Sequence, residues 1–452
     1  MAKAKLTTKQ KLGFGIFDLG GNMLFTLMGF WSLKYLTDVA GIPAAWAGVA
    51  VMAGKAWDAV TDPVMGYVSD RTLSHWGRRR PYLLFGAVPM LLTMWFFFSV
   101  PTIESPALLT VWAAAALILL NSASTVINIP YSSLTPELTD DYHERSTLNG
   151  YRFGCAVFGT IAGAAAVLPL TELFPTERLG WSMMGLILGA VTALVTLLTF
   201  LGTREKKYTK ADLPRQGFFT TYKQVFRNRP YVRLILTYAL NLTGLTFLQS
   251  ILAYYTEYIY GRPDITPLVM MILLVTAMIC IPISVLVSKK IGKKRAYQIC
   301  FLILSSACMI IFFLGHILGP TFFLIFMIYA GIGVGFGYVA PFAMVPDTIE
   351  YDAVNTGERK EGAYYGMWTF VSKLGTSLSV FVSGLILSAG GYMANQVQSE
   401  ASLRAIRLII GPIPALILLG AMVLINGYAL DEAAYKKLLE KDGTGAKTSG
   451  KR

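Results

Sequence analysis

Charge is what this sequence has least of. Asp, Glu, Lys and Arg make up 14% of its 452 residues, against roughly 25% in soluble domains. Hydrophobic residues reach 54%, and mean hydropathy is +0.55. A chain this long with so little charge is not an ordinary cytosolic enzyme and reads as a polytopic, all-α membrane protein. Histidine is scarce too: His75, His143 and His316 all lie in or beside loops, away from any buried carboxylate. That leaves no nucleophile and base pair from which to build an active site, so no enzyme and no cofactor is expected. The cysteines, Cys155, Cys280, Cys300 and Cys308, fall inside apolar runs with no CxxC pair and no Cys/His cluster. Neither disulfides nor zinc follow from such spacing, because buried cysteine behaves as a small hydrophobe. The basic opening MAKAKLTTKQKLG runs into a full-length apolar segment without a small-residue cleavage site, so a removable signal peptide is not expected.

The 39 Lys and Arg residues give a net charge of +13, but they form no basic stripe of the kind that binds nucleic acid. They sit in short clusters between apolar stretches. A bilayer core of about 30 Å needs roughly 20 apolar residues per helix. Twelve stretches meet that length, centred near Leu24, Gly54, Met90, Leu117, Thr160, Val191, Leu242, Thr276, Leu304, Ile325, Ser379 and Leu416. Both ends then share one side of the membrane, with Lys3 to Lys11, Arg71, Arg78 to Arg80, Arg145, the run from Arg204 to Arg229, Lys289 to Arg295, Arg359, Lys360 and the tail from Lys436. The other side holds only Lys34, Arg178, Arg262, Arg404 and Arg407. The positive-inside rule makes the first side cytoplasmic. The expected division is a six-helix bundle over 1–202, a charged linker over 203–229, a second bundle over 230–431 and a basic tail over 432–452.

The halves resemble one another at an offset of roughly 210 to 220 residues. Asn22 precedes YLTD as Asn241 precedes YYTE; GRRRPY (77–82) matches GKKRAY (292–297); PYSSLTPEL (130–138) matches PFAMVPDT (341–348). Parallel repeats of this kind mark the major facilitator fold, in which the solute site lies near mid-membrane between rocking halves. The loop GYVSDRTLSHWGRRRPY resembles the D-x-x-G-R-[RK] loop between spans 2 and 3 of such proteins, although positive-inside anchoring also accounts for its charge.

Ionisable side chains inside a span cost about 2.5 to 3.5 kcal/mol each and are functional candidates by default. Span 2 carries Lys55, Asp58 and Asp62 at i, i+3 and i+7, which stacks them on one helical face. Two neighbouring carboxylates in low dielectric disfavour full ionisation and are relieved by a proton or a cation. A hard cation such as Na+ would take oxygen ligands, and Thr61 and Thr125 offer neutral ones. A plain Lys55–Asp58 ion pair is the alternative. Lys373, in the middle of span 11, is a second buried cation, expected to tune the same charge. Polar side chains suited to a solute are Asn22, Asn121, Asn128, Arg152 and Asn241, although amides in membranes also join helices. The aromatics Tyr131, Tyr364, Tyr365 and Trp368 suit a sugar ring or simple packing. The run GIGVGFGYVAP (331–341) suits either close packing or bending.

At FDLGGN (17–22), YLTDVAG (35–41), WDAVTDPVMGYVSD (57–70), WGRRRPYLLFG (76–86), VINIPYSSL (126–134), VPDTIEYDAVNTGERKEG (345–362) and GYMANQ (391–396), the chain resembles the glycoside-pentoside-hexuronide:cation symporter family of the major facilitators. The resemblance implies uptake of a sugar or glycoside driven by Na+, H+ or Li+ in a bacterial inner membrane, with twelve helices in two six-helix bundles. By the same resemblance, Asp58, Asp62 and Thr125 match the cation site of the melibiose-carrying branch. Thr61 stands where that branch has Asn, which leaves the coupling ion open. Asn22 and Asn128 stand where it has sugar-binding acids, while the span-5 arginine is kept as Arg152. Amides beside a retained arginine would suit an anionic or differently hydroxylated sugar, bound with Tyr131 and Trp368. Arg71, Arg78, Arg79, Arg80, Glu137, Arg359 and Glu361 are expected to make cytoplasmic gating contacts. The expected partners are a sugar, a monovalent cation and the lipid bilayer, with the chain a monomer. Cation-coupled lysolipid transport is a second reading, and a membrane sensor or enzyme a third that lacks a soluble signalling domain or a catalytic cluster.

Overall fold

A computed structural model describes residues 6–134, 138, 142–205, 225–356 and 361–430. The described residues are helical, with no strand among them. The helices are α1 (Thr8–Gly15), α2 (Phe17–Lys34), α3 (Ala44–Arg71), α4 (Arg80–Phe97), α5 (Pro106–Ser132), α6 (Tyr142–Ala165), α7 (Val167–Thr171), α8 (Glu177–Gly202), α9 (Arg229–Tyr254), α10 (Thr266–Ile291), α11 (Lys293–Ile310), α12 (His316–Thr356), α13 (Glu361–Ala389), α14 (Glu400–Ile410) and α15 (Pro412–Asn426). Local chemistry sets several starts. Thr7 and Gln10 close a capping box on α1, Thr176 caps α8, and α4 and α5 carry Pro in their first turn, where no N–H partner is needed.

Nine described helical segments are long and apolar enough to cross a bilayer. The segment Lys293–Asn355 spans 63 residues and breaks at Gly319 (φ 79°, ψ −177°), just before Pro320, so it makes two passes. Helices α3 and α6, with 28 and 24 residues, have the length of a span and a more polar face. Together these give the twelve passes expected from hydropathy.

The chain divides into two compact units: Met1–Arg215 with Gln249–Met271 and Val380–Ala405, and Gln216–Leu248 with Ile272–Ser379 and Ile406–Arg452. In the first unit α2 packs on α6, α3 on α5 and α4 on α8. Glycines four apart bring α6 onto α2: a Cβ at Gly159 would stand 2.0 Å from the Leu19 carbonyl oxygen, and one at Gly163 would stand 2.2 Å from that of Met23. Small residues at this spacing replace the hydrophobic drive that helices lack in lipid with close backbone contact. In the second unit α11 packs on α12 and α15. The glycine run of α12 serves packing on two sides. Gly331 and Gly335 lie against the Leu273 and Ala277 carbonyls of α10, whereas Gly333 meets Leu304 of α11. Apolar side chains such as Phe153, Phe158 and Leu416 point outward, a surface suited to lipid chains.

Candidate functional site

Two of the polar clusters of the first unit share α5. The first joins α3 to α5. Asp58 and Asp62, one turn apart on α3, are 6% and 9% exposed, and Thr125 on α5 is 3% exposed. The Thr125 hydroxyl lies 2.6 Å from Asp58 Oδ1 and 2.9 Å from Asp62 Oδ1. A hydroxyl carries one proton, so it donates fully to one carboxylate at a time. Three oxygens converge here with one hydroxyl proton between them, which suits either a proton on one carboxyl group or a hard cation among the three. Lys55 lies one turn before Asp58 on the same helix and is half-buried. Thr61 points elsewhere: its hydroxyl donates back to the Asp58 backbone carbonyl at 3.2 Å.

The second cluster draws together α2, α5 and α6. The Arg152 guanidinium of α6 reaches Asp18 of α2 through Nε at 2.6 Å and Nη2 at 3.3 Å. Tyr131, at the end of α5, donates its hydroxyl to the same carboxylate at 2.5 Å. The Tyr131 ring is 2% exposed and packs against Phe14 and Phe17, with centroids at 4.8 and 4.1 Å. It is a buried donor and spacer more than an open stacking face. Asn22 donates to the Asp18 carbonyl at 2.9 Å, and Asn128 donates to Ser124 at 2.8 Å while its Oδ1 faces Gly21. Three of the anticipated solute residues, Asn22, Tyr131 and Arg152, therefore bond Asp18, and Asn128 of α5 lies beside Gly21 on the helix that carries this acid. Sequence reasoning did not single out Asp18. Its signal was present, since Asp18 precedes Asn22 by one helical turn inside span 1.

Trp368 belongs to the second unit. It is 4% exposed and stacks on Tyr238 at 4.1 Å and 16°, and its indole Nε1 has no hydrogen-bond partner among the described residues. Lys373 lies half-buried on α13.

The loop between α3 and α4 is organised by another unanticipated acid. Glu205 accepts the backbone N–H groups of Arg78, Arg79 and Arg80 at 2.8, 2.8 and 3.2 Å. An anion is held in this way where a helix begins, because the first N–H groups have no partner within the helix. The arginine side chains then turn to separate tasks. Arg79, 5% exposed, donates to Ser69; Arg80 donates to the Phe200 carbonyl at 2.7 Å; Arg71 folds back over the Tyr67 ring, 3.5 Å from its centroid. Glu137, Arg359 and the Glu361 side chain lie outside the described residues.

At the other end of α2 sits a buried ionic network, also within the first unit. Lys34 pairs with Asp38 at 2.6 Å and with Glu257. Asp38 further accepts from Thr37 at 2.6 Å, Tyr392 at 2.5 Å and Tyr258 at 2.9 Å, and Asn395 bonds its carbonyl at 2.8 Å. Tyr392 lies between helices; burial first, then Tyr254 and the Asp38 carboxylate, push its phenol well above the ordinary range. It therefore stays a donor. Lys34, which sequence reasoning placed at the end of span 1 among the few charges of the far side, is buried there at 8% exposure.

Among known proteins, the chain is 29% identical to a putative sulfoquinovose importer of Escherichia coli, over 97% of this chain and 94% of that protein. It is 28% identical to an isoprimeverose transporter of Lactiplantibacillus pentosus, over 88% and 84%, and 27% identical to an uncharacterized symporter of Synechocystis, over 98% and 97%. In fold it is similar to the crystal structure of a bacterial homolog of the human lysosomal transporter Spinster, with a TM-score of 0.66 at 14% identity over 97% of both chains. Residues 13–432 match the MFS/sugar transport protein family throughout, so this chain is a multi-pass membrane transporter of the major facilitator fold and belongs to that family.

Proposed function

We propose that the chain imports a sugar or glycoside by cation-coupled symport across a bacterial inner membrane, with both termini cytoplasmic. The single observation that carries the coupling is the convergence of Asp58, Asp62 and Thr125 on one point, two buried carboxylates sharing one hydroxyl. A Na+ ion or a proton entering there neutralises charge that low dielectric makes costly, and Lys55 on the same helical face adjusts how much compensation is needed. The Asp18 cluster with Asn22, Asn128, Tyr131 and Arg152 serves the solute. Helix α5 carries Thr125 and Asn128 one turn apart, so an ion and a solute act on the same rigid element. The relatives named as a putative sulfoquinovose importer and an isoprimeverose transporter support a sugar as solute. The loop from Arg71 to Arg80, pinned by Glu205, serves as the cytoplasmic contact that alternates between states.

The test is an uptake screen in membrane vesicles, with a panel of neutral glycosides, pentosides and hexuronides at varied Na+ and pH. The reading expects at least one sugar to accumulate only when a Na+ or proton gradient is imposed. Equal uptake with and without either gradient would contradict it.

A further inference from the structure

Resting on the reading of this chain as a cation-coupled symporter, we infer that Trp57 and Ser122 are positioning residues for the ion, their hydrogen bond holding Thr125 between Asp58 and Asp62. The Thr125 hydroxyl meets one carboxylate at 2.6 Å and the other at 2.9 Å, a convergence that a small slide or turn of α5 against α3 would undo. One contact between two helices leaves rotation about it free. A second contact, to one side of the first, fixes both height and rotation. Trp57, next to Asp58 on α3, donates its indole N–H to Ser122 Oγ at 2.8 Å. Ser122 precedes Thr125 by three residues, which puts both on one face of α5. The serine hydroxyl gives its own proton to the Ile118 carbonyl at 2.7 Å, so its lone pairs are left for the indole.

The two helices approach closely enough for so short a side chain to reach. At Gly54, one turn before Trp57, an added Cβ would stand 2.8 Å from Leu117 Cβ and 3.0 Å from Asn121 Nδ2. Consecutive residues of a helix point about 100° apart, so Trp57 and Asp58 meet α5 along different edges. The Asp58 side is buried, whereas Trp57 is 45% exposed, on an apolar stripe with Val60, Val64 and Tyr67. A stripe of that kind suits lipid chains, which offer the indole N–H no other acceptor. The solute cluster meets α5 further along, at Asn128 and Tyr131, where Tyr131 is held by the Asp18 carboxylate. Loss of the Trp57–Ser122 bond therefore acts on the distance of Thr125 from the two acids and spares the solute cluster.

The experiment uses the full chain in proteoliposomes with imposed Na+ and proton gradients, and labelled methyl xyloside, methyl glucoside and methyl glucuronide as probes. For each probe that accumulates, the Na+ or proton concentration giving half-maximal uptake is compared with the KM for sugar exchange at saturating ion. Trp57→Phe keeps a ring without the N–H, and Ser122→Ala removes the acceptor. Each is expected to raise the half-maximal ion concentration about threefold to fifteenfold, the range of an interhelical hydrogen bond in a membrane, with the exchange KM unmoved. The double variant is expected to match the single ones, because all three break the same bond. Ser122→Thr, which retains the hydroxyl, is expected to stay near the wild type. An ion requirement unchanged in either single variant would overturn the inference. So would a double variant showing the product of the two single effects, or an exchange KM that rises as far as the ion requirement, the mark of a general disturbance of packing. Absence of ion-driven accumulation for every probe in the wild type would instead overturn the symport reading on which the inference stands.

Discussion

A single hydroxyl stands between two buried acids, and the chemistry proposed for this protein turns on it. Thr125 can satisfy Asp58 or Asp62 with its one proton, and the other acid must find its compensation elsewhere. Replacing Thr125 by Val keeps the shape and removes the oxygen. The expected result is a loss of at least tenfold in apparent affinity for the coupling ion, about 1.4 kcal/mol, measured as the Na+ or proton concentration giving half-maximal uptake. An unchanged concentration would show that the hydroxyl has no part in ion binding.

The span-2 acids were legible in the sequence because charge at the centre of an apolar run has few explanations. Thr125 was named among the neutral oxygens of the spans, and the helical packing of α3 on α5 brings it onto the acids. Asp18 escaped notice for a physical reason. It follows a basic stretch near the expected membrane edge, where a charge is ordinary, and its partner Arg152 is distant in sequence. Lys34 and Asp38 were missed in the same way, since a span boundary uncertain by a few residues cannot separate a loop charge from a buried one.

At the scale of elements, the loop joining α3 to α4 depends on Gly77. Its φ is +110°, and a Cβ there would stand 2.3 Å from Glu205 Oε2. Gly77→Ala is therefore expected to cost about 1 to 3 kcal/mol and to lower the unfolding temperature in detergent. Equal stability of the two proteins would mean that Glu205 does not hold this turn. Glu205 itself lies in a segment that composition alone described as a linker, and only its position beside the start of α4 reveals its task.

The network at the far end of α2 makes a second claim about elements. Lys34 offsets both Asp38 and Glu257. Removing one member of an enclosed ionic group leaves an uncompensated charge, at a cost of about 3 to 5 kcal/mol. Lys34→Met is expected to destabilise the protein by that order, checked by thermal unfolding of purified protein. A loss within about 0.5 kcal/mol, the size typical of surface changes, would contradict the placement. The phenol of Tyr392 adds a dependence on pH whose sign follows from its upward shift. Its hydrogen bond to Asp38 contributes fully below the unfolded phenol range near pH 10 and is lost only as pH rises through the higher folded value. Physiological pH changes should leave this bond intact.

Across the whole molecule, hydropathy anticipated twelve passes, and the helices supply them once the break at Gly319 and the polar faces of α3 and α6 are counted. Stretches 249–271 and 380–405 of the second half belong to the first unit, a grouping on which the sequence repeat is silent. The glycine run of α12 was open between packing and bending. The close approaches of Gly331 and Gly335 to neighbouring carbonyls supply a packing reason for it.

The scarcity of charge takes its meaning at this scale as well. Most of the +13 lies in loops assigned to the cytoplasm, and the charges inside the described spans include the Asp58–Asp62 pair with Lys55 on the same helix, the Asp18–Arg152 pair and the Lys34 network. The account stands most directly on the first of these. The decisive measurement is sugar accumulation by Asp62→Asn in proteoliposomes under an imposed Na+ or proton gradient, alongside exchange of labelled for unlabelled sugar in the same vesicles. The account predicts that accumulation is lost while exchange persists. Sugar concentrated against its gradient by the variant, to the level reached by the wild type, would contradict it.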